Sequence, residues 1–439
     1  MSKTIEESIE WIHSRLPFGM RPGLERVEAL LALVDYPEKK VPMIHIAGTN
    51  GKGSTVSYLK NMLQEMGLKV GSFTSPYIET FNERITINHD FISDKALIAL
   101  VEKYQPLVEK LDQDEQLKGI TEFELLTVMG FDYFSKEAVD VALIEVGLGG
   151  LLDSTNVISP ILTGITTIGM DHTDILGETI EEIAFQKAGI IKPNVPLVTG
   201  NIEEKALTVI DERAQTLNAP TTRLHQEYEV TYQHPAAQWG EVFDFSNHEG
   251  LIKDLRTPLL GAHQVENAGL AIALLFAYCQ QQQINVQHKW IREGLAKTTW
   301  PARMERISEE PLIILDGAHN DHAMTRLVDN LKKEFKGRNI FILFSALETK
   351  DISNMLNQLT KIPKSKVLIT TFDNPRAIRL EKNYEAQNSK KLSVASLWQV
   401  GFSELLELVT DDDVILITGS LYFVSEVRKY LKNLKGEHQ

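Results

Sequence analysis

Two hydrophobic patterns alternate along this chain. Runs of consecutive apolar residues ending at glycine, proline or serine alternate with longer stretches where apolar residues recur every three or four positions. The runs at 41–47, 69–74, 140–146, 161–168 and 195–199 predict buried strands. Helical spacing follows through Val56, Leu59, Leu63 and Met66, and again at 93–110, 121–136, 178–188 and 206–217. This alternation predicts an α/β fold with a doubly wound, mainly parallel sheet. Residues 1–40 read as helical with a break at 17–23, and 77–92 as a loop or short hairpin. Residues 221–260, with short pieces rich in Tyr, Gln and His, read as a small antiparallel patch. A long helix is expected at 261–283 and continues helically at 290–296. The stretch 297–301 is the expected boundary, giving domains at 1–298 and 299–439. Strands at 312–315, 339–344, 366–371 and 414–418 then predict a smaller, Rossmann-like α/β domain.

The strand at 41–47 ends in Gly48-Thr49-Asn50-Gly51-Lys52-Gly53-Ser54, and a helix follows. Strand, glycine loop and helix start make a phosphate-binding context. Glycines let backbone N–H groups converge on an anion, the helix N-terminus adds positive potential, and Lys52 adds a full charge. The match to G-x-x-x-x-G-K-[ST] is imperfect: Ile46 stands at the first glycine, and the hydroxyl comes one place late, at Ser54. The usual Mg²⁺ ligand is therefore displaced, and oxygens from elsewhere are needed. Lys52 is expected to face phosphate rather than to pack.

At 439 residues the chain is long for one core, in keeping with two domains. No apolar run is long enough to span a bilayer, residues 1–20 lack a secretory pattern, and Cys279 is the sole cysteine. A cytoplasmic protein with no membrane attachment is expected. The net charge of −15 speaks against nonspecific nucleic-acid binding.

Gly51, Ser75, Glu145 and His172 all stand at or just after the ends of separate predicted strands, where ligands of such sheets bind. Glu145 and the Ser75 hydroxyl suit Mg²⁺, although Glu145 could equally be satisfied by backbone N–H groups. A loop histidine such as His172 is more often structural than a ligand. Lys187 sits on a mostly apolar helix and reads, on pattern alone, as a snorkelling lysine. Asp153 could cap a turn, and His263, Gln264 and Asn267 could cap the helix they begin. Arg303 and Asp316 are expected to face the cleft between the domains, as phosphate and ribose contacts or as a plain salt bridge.

Together these stretches resemble the folylpolyglutamate synthases, members of the Mur ligase superfamily. The resemblance is carried by IHIAGTNGKGS, FTSPYIETFNERI, EVGLGGLLDSTN, MDHTDILGETIEEIAFQKAGIIK, GAHQVENA, TTWPARMERI, LDGAHN and ITGSLYFVSEVR, in that order over nearly the whole length. It implies an N-terminal P-loop ATPase domain and ATP, two Mg²⁺ and K⁺. It also implies folates and L-glutamate as substrates, and a monomer. A carboxylate would be activated as an acyl phosphate and then attacked by the glutamate amine. At matching positions, the resemblance assigns the nucleotide to Asn50, Gly51, Lys52, Gly53, Ser54, Asn267, Arg303 and Asp316. Metal binding falls to Ser75, Glu145, His172 and a carbamylated Lys187, and folate contact to Phe123, Asp153 and Arg84. His319 is placed near the acyl phosphate, and both His319 and Asp316 are candidates for deprotonating the incoming amine. Leu151 and Ala302 depart from a common Arg and Gly, and the former puts dihydropteroate specificity in question. Alternatives are a dihydrofolate synthase or bifunctional enzyme, a cell-wall Mur ligase, and a non-catalytic nucleotide-binding module.

Overall fold

The computed structural model describes residues 3–19, 21–380 and 391–434. Residue 20, inside the expected break at 17–23, lies outside them. Two compact units emerge. The first comprises 1–234, 242–258 and 264–298, and the second 235–241, 259–263 and 299–439.

In the first unit the main sheet contains β1 (Met43–Ala47), β2 (Val70–Phe73), β3 (Ile85–Ile87), β4 (Asp90–Phe91), β5 (Val141–Glu145), β6 (Leu162–Ile165), β7 (Leu197–Thr199) and β8 (Thr221–Arg223). Among the described residues their order is β4-β3-β2-β5-β1-β6-β7-β8. The pairs from β2 through β8 are parallel, while β3 and β4 add antiparallel. The central strands are buried on both faces, which is why they read as unbroken apolar runs. Helices cover each face. Glu122–Lys136 and Asp94–Leu111 pack Phe131, Phe134 and Val101 over Phe73 and Ile144. Ile180–Ala188 and Glu204–Thr216 pack Ile183 and Ile210 over Ala47 and Ile165.

β9 (Tyr228–Pro235), β10 (Glu241–Asn247) and β11 (Gly250–Thr257) form a separate three-stranded sheet. The expectation for 221–260 needs one correction, because 221–223 pairs with β7 and extends the main sheet instead. The helices Ala262–Gln281 and His288–Ala296 match the helical readings at 261–283 and 290–296. A polar stretch without helical spacing, 282–287, separates them.

The second unit has β12 (Glu305–Glu309), β13 (Leu312–Asp316), β14 (Ile340–Phe344), β15 (Ser365–Ile369), β16 (Leu392–Val394) and β17 (Val414–Thr418), in the order β12-β13-β17-β14-β15-β16. Among the described residues all pairs are parallel except β12 with β13. β12 and β16 were missed: one is a polar edge strand and the other is short, so neither gives an apolar run.

In the first sheet the strand order reverses at β1. The chain leaves β1 for β2 on one side, and β6 takes the other. The loop after β1 therefore lies at a topological switch point, beside the ends of β5 and β6.

Candidate nucleotide and substrate site

The loop at 48–54 is held by its neighbours. Thr49 N donates to Thr167 O (2.7 Å), and the Thr166 and Thr167 hydroxyls donate to Asn50 O (2.6 and 3.1 Å). Gly48 has φ +148°, and a Cβ there would lie 1.8 Å from Thr166 Oγ1. Gly51 has φ +90°, and its Cβ would lie 2.3 Å from Asn267 Oδ1. Both positions exclude a side chain. The first helical bond runs from Thr55 N to Gly51 O (2.9 Å), so the N–H groups of the preceding turn point out of the helix end. Asn267 caps nothing: its Nδ2 donates to Gln264 Oε1 (3.1 Å), and its oxygen abuts the loop.

Two lysines meet at one loop carbonyl. Lys52 Nζ donates to Gly48 O (3.0 Å) and Thr49 O (3.3 Å), and Lys187 Nζ donates to the same Gly48 O (3.0 Å). Lys52 is thus folded back on the loop in this structure. Lys187 corrects the snorkelling reading, since it is only 4% exposed and its amine lies inside the protein. Burial, and then repulsion from Lys52, brings its pKa down to about 7, against the pull of Asp171 and Asp153.

Glu145 ends β5 beside Ile46 and is buried, and its Oε2 accepts from Ser75 N (3.3 Å). The two proposed oxygen donors are therefore neighbours. His172 has φ +49° and a half-exposed side chain, 4.0 Å from Asp171. Among the described residues no three His, Cys, Asp or Glu side chains form a metal cage.

Ser75, Arg84, Phe123, Asp153 and His172 line one cavity of about 580 Å³ in the first unit. Phe123 forms a wall against Gly147, where a Cβ would clash with its ring at 2.5 Å. Asp153 is both a lining residue and a brace. Its Oδ1 accepts from Thr155 N (3.0 Å) and its Oδ2 from Leu148 N (2.8 Å). Burial pushes its carboxyl pKa up. Arg84 donates to Glu122 (3.3 Å), which also meets His13 Nδ1 at 2.9 Å. Sequence reasoning missed Arg15, Arg21, Glu122 and Gln186, which line the same cavity. The break at 17–23 was the available signal for Arg21, since a turn there marks a segment free to wrap a site.

In the second unit Asp316 ends β13. Its Oδ2 accepts from Met304 N (2.9 Å) and its Oδ1 from Ala318 N (2.9 Å). Burial raises its pKa despite Arg303. Arg303 Nη1 donates to Ala302 O (3.1 Å). His319 Nδ1 lies 2.8 Å from Gly317 O, a carbonyl that can only accept, so Nδ1 carries a proton. His263 caps nothing either: it is the second residue of its helix, and burial brings its pKa down to about 3. Ala302 sits at φ +55° and Met304 at φ +47°, a backbone conformation that favours glycine. The bend is braced by Glu305, which accepts from Ala302 N (2.8 Å) and is gripped by the Arg428 guanidinium at 2.7–3.0 Å.

Comparison with known proteins agrees with this fold. The Mur ligase middle domain model matches residues 46–275, and the Mur ligase glutamate ligase domain model matches 302–421. A Bacillus subtilis protein named dihydrofolate synthase/folylpolyglutamate synthase is 43% identical, covering 98% of this chain and 100% of its own. A solved Mycobacterium tuberculosis folylpolyglutamate synthase, complexed with ADP and AMPPCP, superposes with TM-score 0.89 at 32% identity, covering 97% of this chain and 99% of its own. A folylpolyglutamate synthase complex with AMPPCP and folate superposes with TM-score 0.85 at 35% identity, covering 98% and 100%.

The bend before Arg303 generates a test. A left-handed alanine costs roughly 1–2 kcal/mol that glycine avoids, partly offset by glycine's greater freedom when unfolded. Ala302→Gly is expected to be neutral to about 1 kcal/mol stabilising in denaturant unfolding of the second unit's transition. A loss of stability would show that the bend is not strained.

Proposed function

We infer the reaction from one premise: the chain belongs to the Mur ligases, in the family of folylpolyglutamate and dihydrofolate synthases. It is an ATP-dependent ligase that joins L-glutamate to the γ-carboxylate of a folate, releasing ADP and phosphate. The observation that carries the site assignment is the placement of Ser75, Arg84, Phe123, Asp153 and His172 on one cavity, with Glu145 beside Ser75.

A carboxylate is a poor electrophile. Its oxygen attacks the γ-phosphorus of ATP, ADP leaves, and the resulting acyl phosphate has phosphate as leaving group. The unprotonated amine of glutamate then attacks the acyl carbon, phosphate departs, and the amine's proton passes to a base. The loop N–H groups at Gly51, Lys52, Gly53 and Ser54 cradle the triphosphate, with Asn50 and Asn267 beside them. Lys52 exchanges its loop carbonyls for phosphate oxygens. Arg303 and Asp316 are the second unit's proposed nucleotide contacts. His319, with its proton on Nδ1, and Asp316 are the two proposed acceptors of the amine's proton.

Ser75, Glu145, His172 and Lys187 are the proposed Mg²⁺ residues. When bound, Mg²⁺ would neutralise charge on the transferring phosphoryl group. K⁺, a monomeric state and a cytoplasmic setting follow from the resemblance. Among the described residues no helix is long and apolar enough to cross a membrane.

The first test is ADP release. It is expected to require both L-glutamate and a folate acceptor, and Lys52→Ala is expected to lose about 100-fold or more in kcat with the fold retained. Near-normal ligation by the folded variant would refute the loop assignment. Because Leu151 replaces the common Arg, kcat/KM is expected to be higher with tetrahydrofolate than with dihydropteroate. Equal or greater efficiency with dihydropteroate would favour the dihydrofolate synthase reading, which the B. subtilis relative's name also carries.

The second test is carbamylation of Lys187. CO₂ reacts with neutral amine, and the folded pKa of about 7 lies well below the ordinary 10.5, so neutral amine is abundant from neutral pH upward and lost toward acid. A carbamate replaces a buried cation with an anion suited to Mg²⁺. With ¹³C-bicarbonate, a carbamate resonance is expected above about pH 7, absent in Lys187→Ala. That variant should lose most activity, with partial rescue by short carboxylic acids. An active alanine variant, or no resonance in active CO₂-replete enzyme, would contradict the assignment.

A further inference from the structure

His45 has no part in the reaction just described, yet it sits at the centre of β1, fully buried. An apolar residue would fill a central strand at lower cost, because the histidine leaves Nδ1 buried without a hydrogen-bond partner. Its other nitrogen is engaged. Nε2 lies 2.8 Å from Thr155 Oγ1, and Thr155 is itself fully buried. That hydroxyl meets Asp153 Oδ1, the oxygen that also takes Thr155 N. Asp153 Oδ2 accepts from Leu148 N, and the residue lines the cavity assigned to folate.

One proton arrangement satisfies this chain when Asp153 is ionised. His45 Nε2–H donates to Thr155 Oγ1, whose O–H then points at the carboxylate. The imidazole is neutral, because burial brings its pKa down to about 3. The reverse arrangement would need a proton on Asp153 and would bury an unpaired N–H at Nδ1, which costs more than an unpaired lone pair.

We propose that His45 and Thr155 are positioning residues, a buried relay that holds Asp153 ionised and in one rotamer at the folate cavity, where it accepts N–H groups of the substrate's ring. The inference rests on the folate reading of Asp153. It assigns a role to a residue of the IHIAGTNGKGS stretch that the phosphate loop does not use. Strand β1 thus serves two ligands: its end carries the phosphate loop, and its middle supports the carboxylate.

Isosteric Thr155→Val removes the hydroxyl and keeps the shape, and Thr155→Ser restores the hydroxyl. Thr155→Val is expected to raise KM for tetrahydrofolate by about tenfold, with KM for ATP and kcat unchanged. Thr155→Ser should recover most of the loss, and His45→Phe should move KM in the same direction. Equal rises in both KM values, or no recovery with serine, would reduce Thr155 to a packing residue and overturn the proposal. Asp153→Asn separates the two readings. If it raises the folate KM while Thr155→Val does not, the relay is wrong and the folate assignment stands. If it leaves the folate KM unchanged, the folate assignment fails and the relay with it. Should the valine variant not fold, ¹⁵N-histidine spectra of the wild type decide: a His45 resonance protonated at Nε2 from pH 5 to 9 supports the relay, and one protonated at Nδ1 or titrating in that range overturns it.

Discussion

The Gly48 carbonyl receives two lysine ammonium groups, and much of the site follows from that crowding. Burial on its helix, and then repulsion from Lys52, brings the Lys187 pKa down to about 7. The carbonyl can serve both amines because its oxygen has two lone pairs, and Gly48 itself adopts a backbone turn whose Cβ would clash with Thr166. One loop carbonyl therefore anchors Lys52 and holds the buried Lys187 amine beneath the loop. A carbamate at Lys187 would remove the repulsion altogether, turning the second cation into a partner for the first.

The loop's surroundings come from sheet topology. β1 lies between β5 and β6, so Glu145 at the end of β5 and the threonines after β6 flank the loop without any long excursion of chain. The carboxylate reaches Ser75 at the end of the neighbouring β2, and the threonine hydroxyls hold Asn50. Rigid strand ends thus present groups from distant parts of the sequence within one crevice.

Much of this was legible in the residues. Buried parallel strands announce themselves as unbroken apolar runs, and the glycine loop between strand and helix needed no tertiary information. Other features depend on packing that spacing does not encode. An apolar helix flank could not reveal whether Lys187 reached water or the Gly48 carbonyl. Asp153 was read as either a cap or a ligand, and it braces its own loop while lining the cavity, because a carboxylate has enough lone pairs for both. β12 escaped notice because an exposed edge strand alternates polar residues. The glycine-to-alanine departure at position 302 looked minor in sequence and proved to fall on a left-handed residue.

The account rests on one chemical claim, that the folate carboxylate is phosphorylated before the amide forms. Positional isotope transfer tests it directly. With tetrahydrofolate carrying ¹⁸O in its γ-carboxylate, ATP and L-glutamate, the released phosphate should contain one carboxylate-derived oxygen for each amide made, read by mass spectrometry or ³¹P NMR. Amide formation with unlabelled phosphate would mean that the carboxylate never attacked the γ-phosphorus, and the acyl phosphate mechanism would be contradicted.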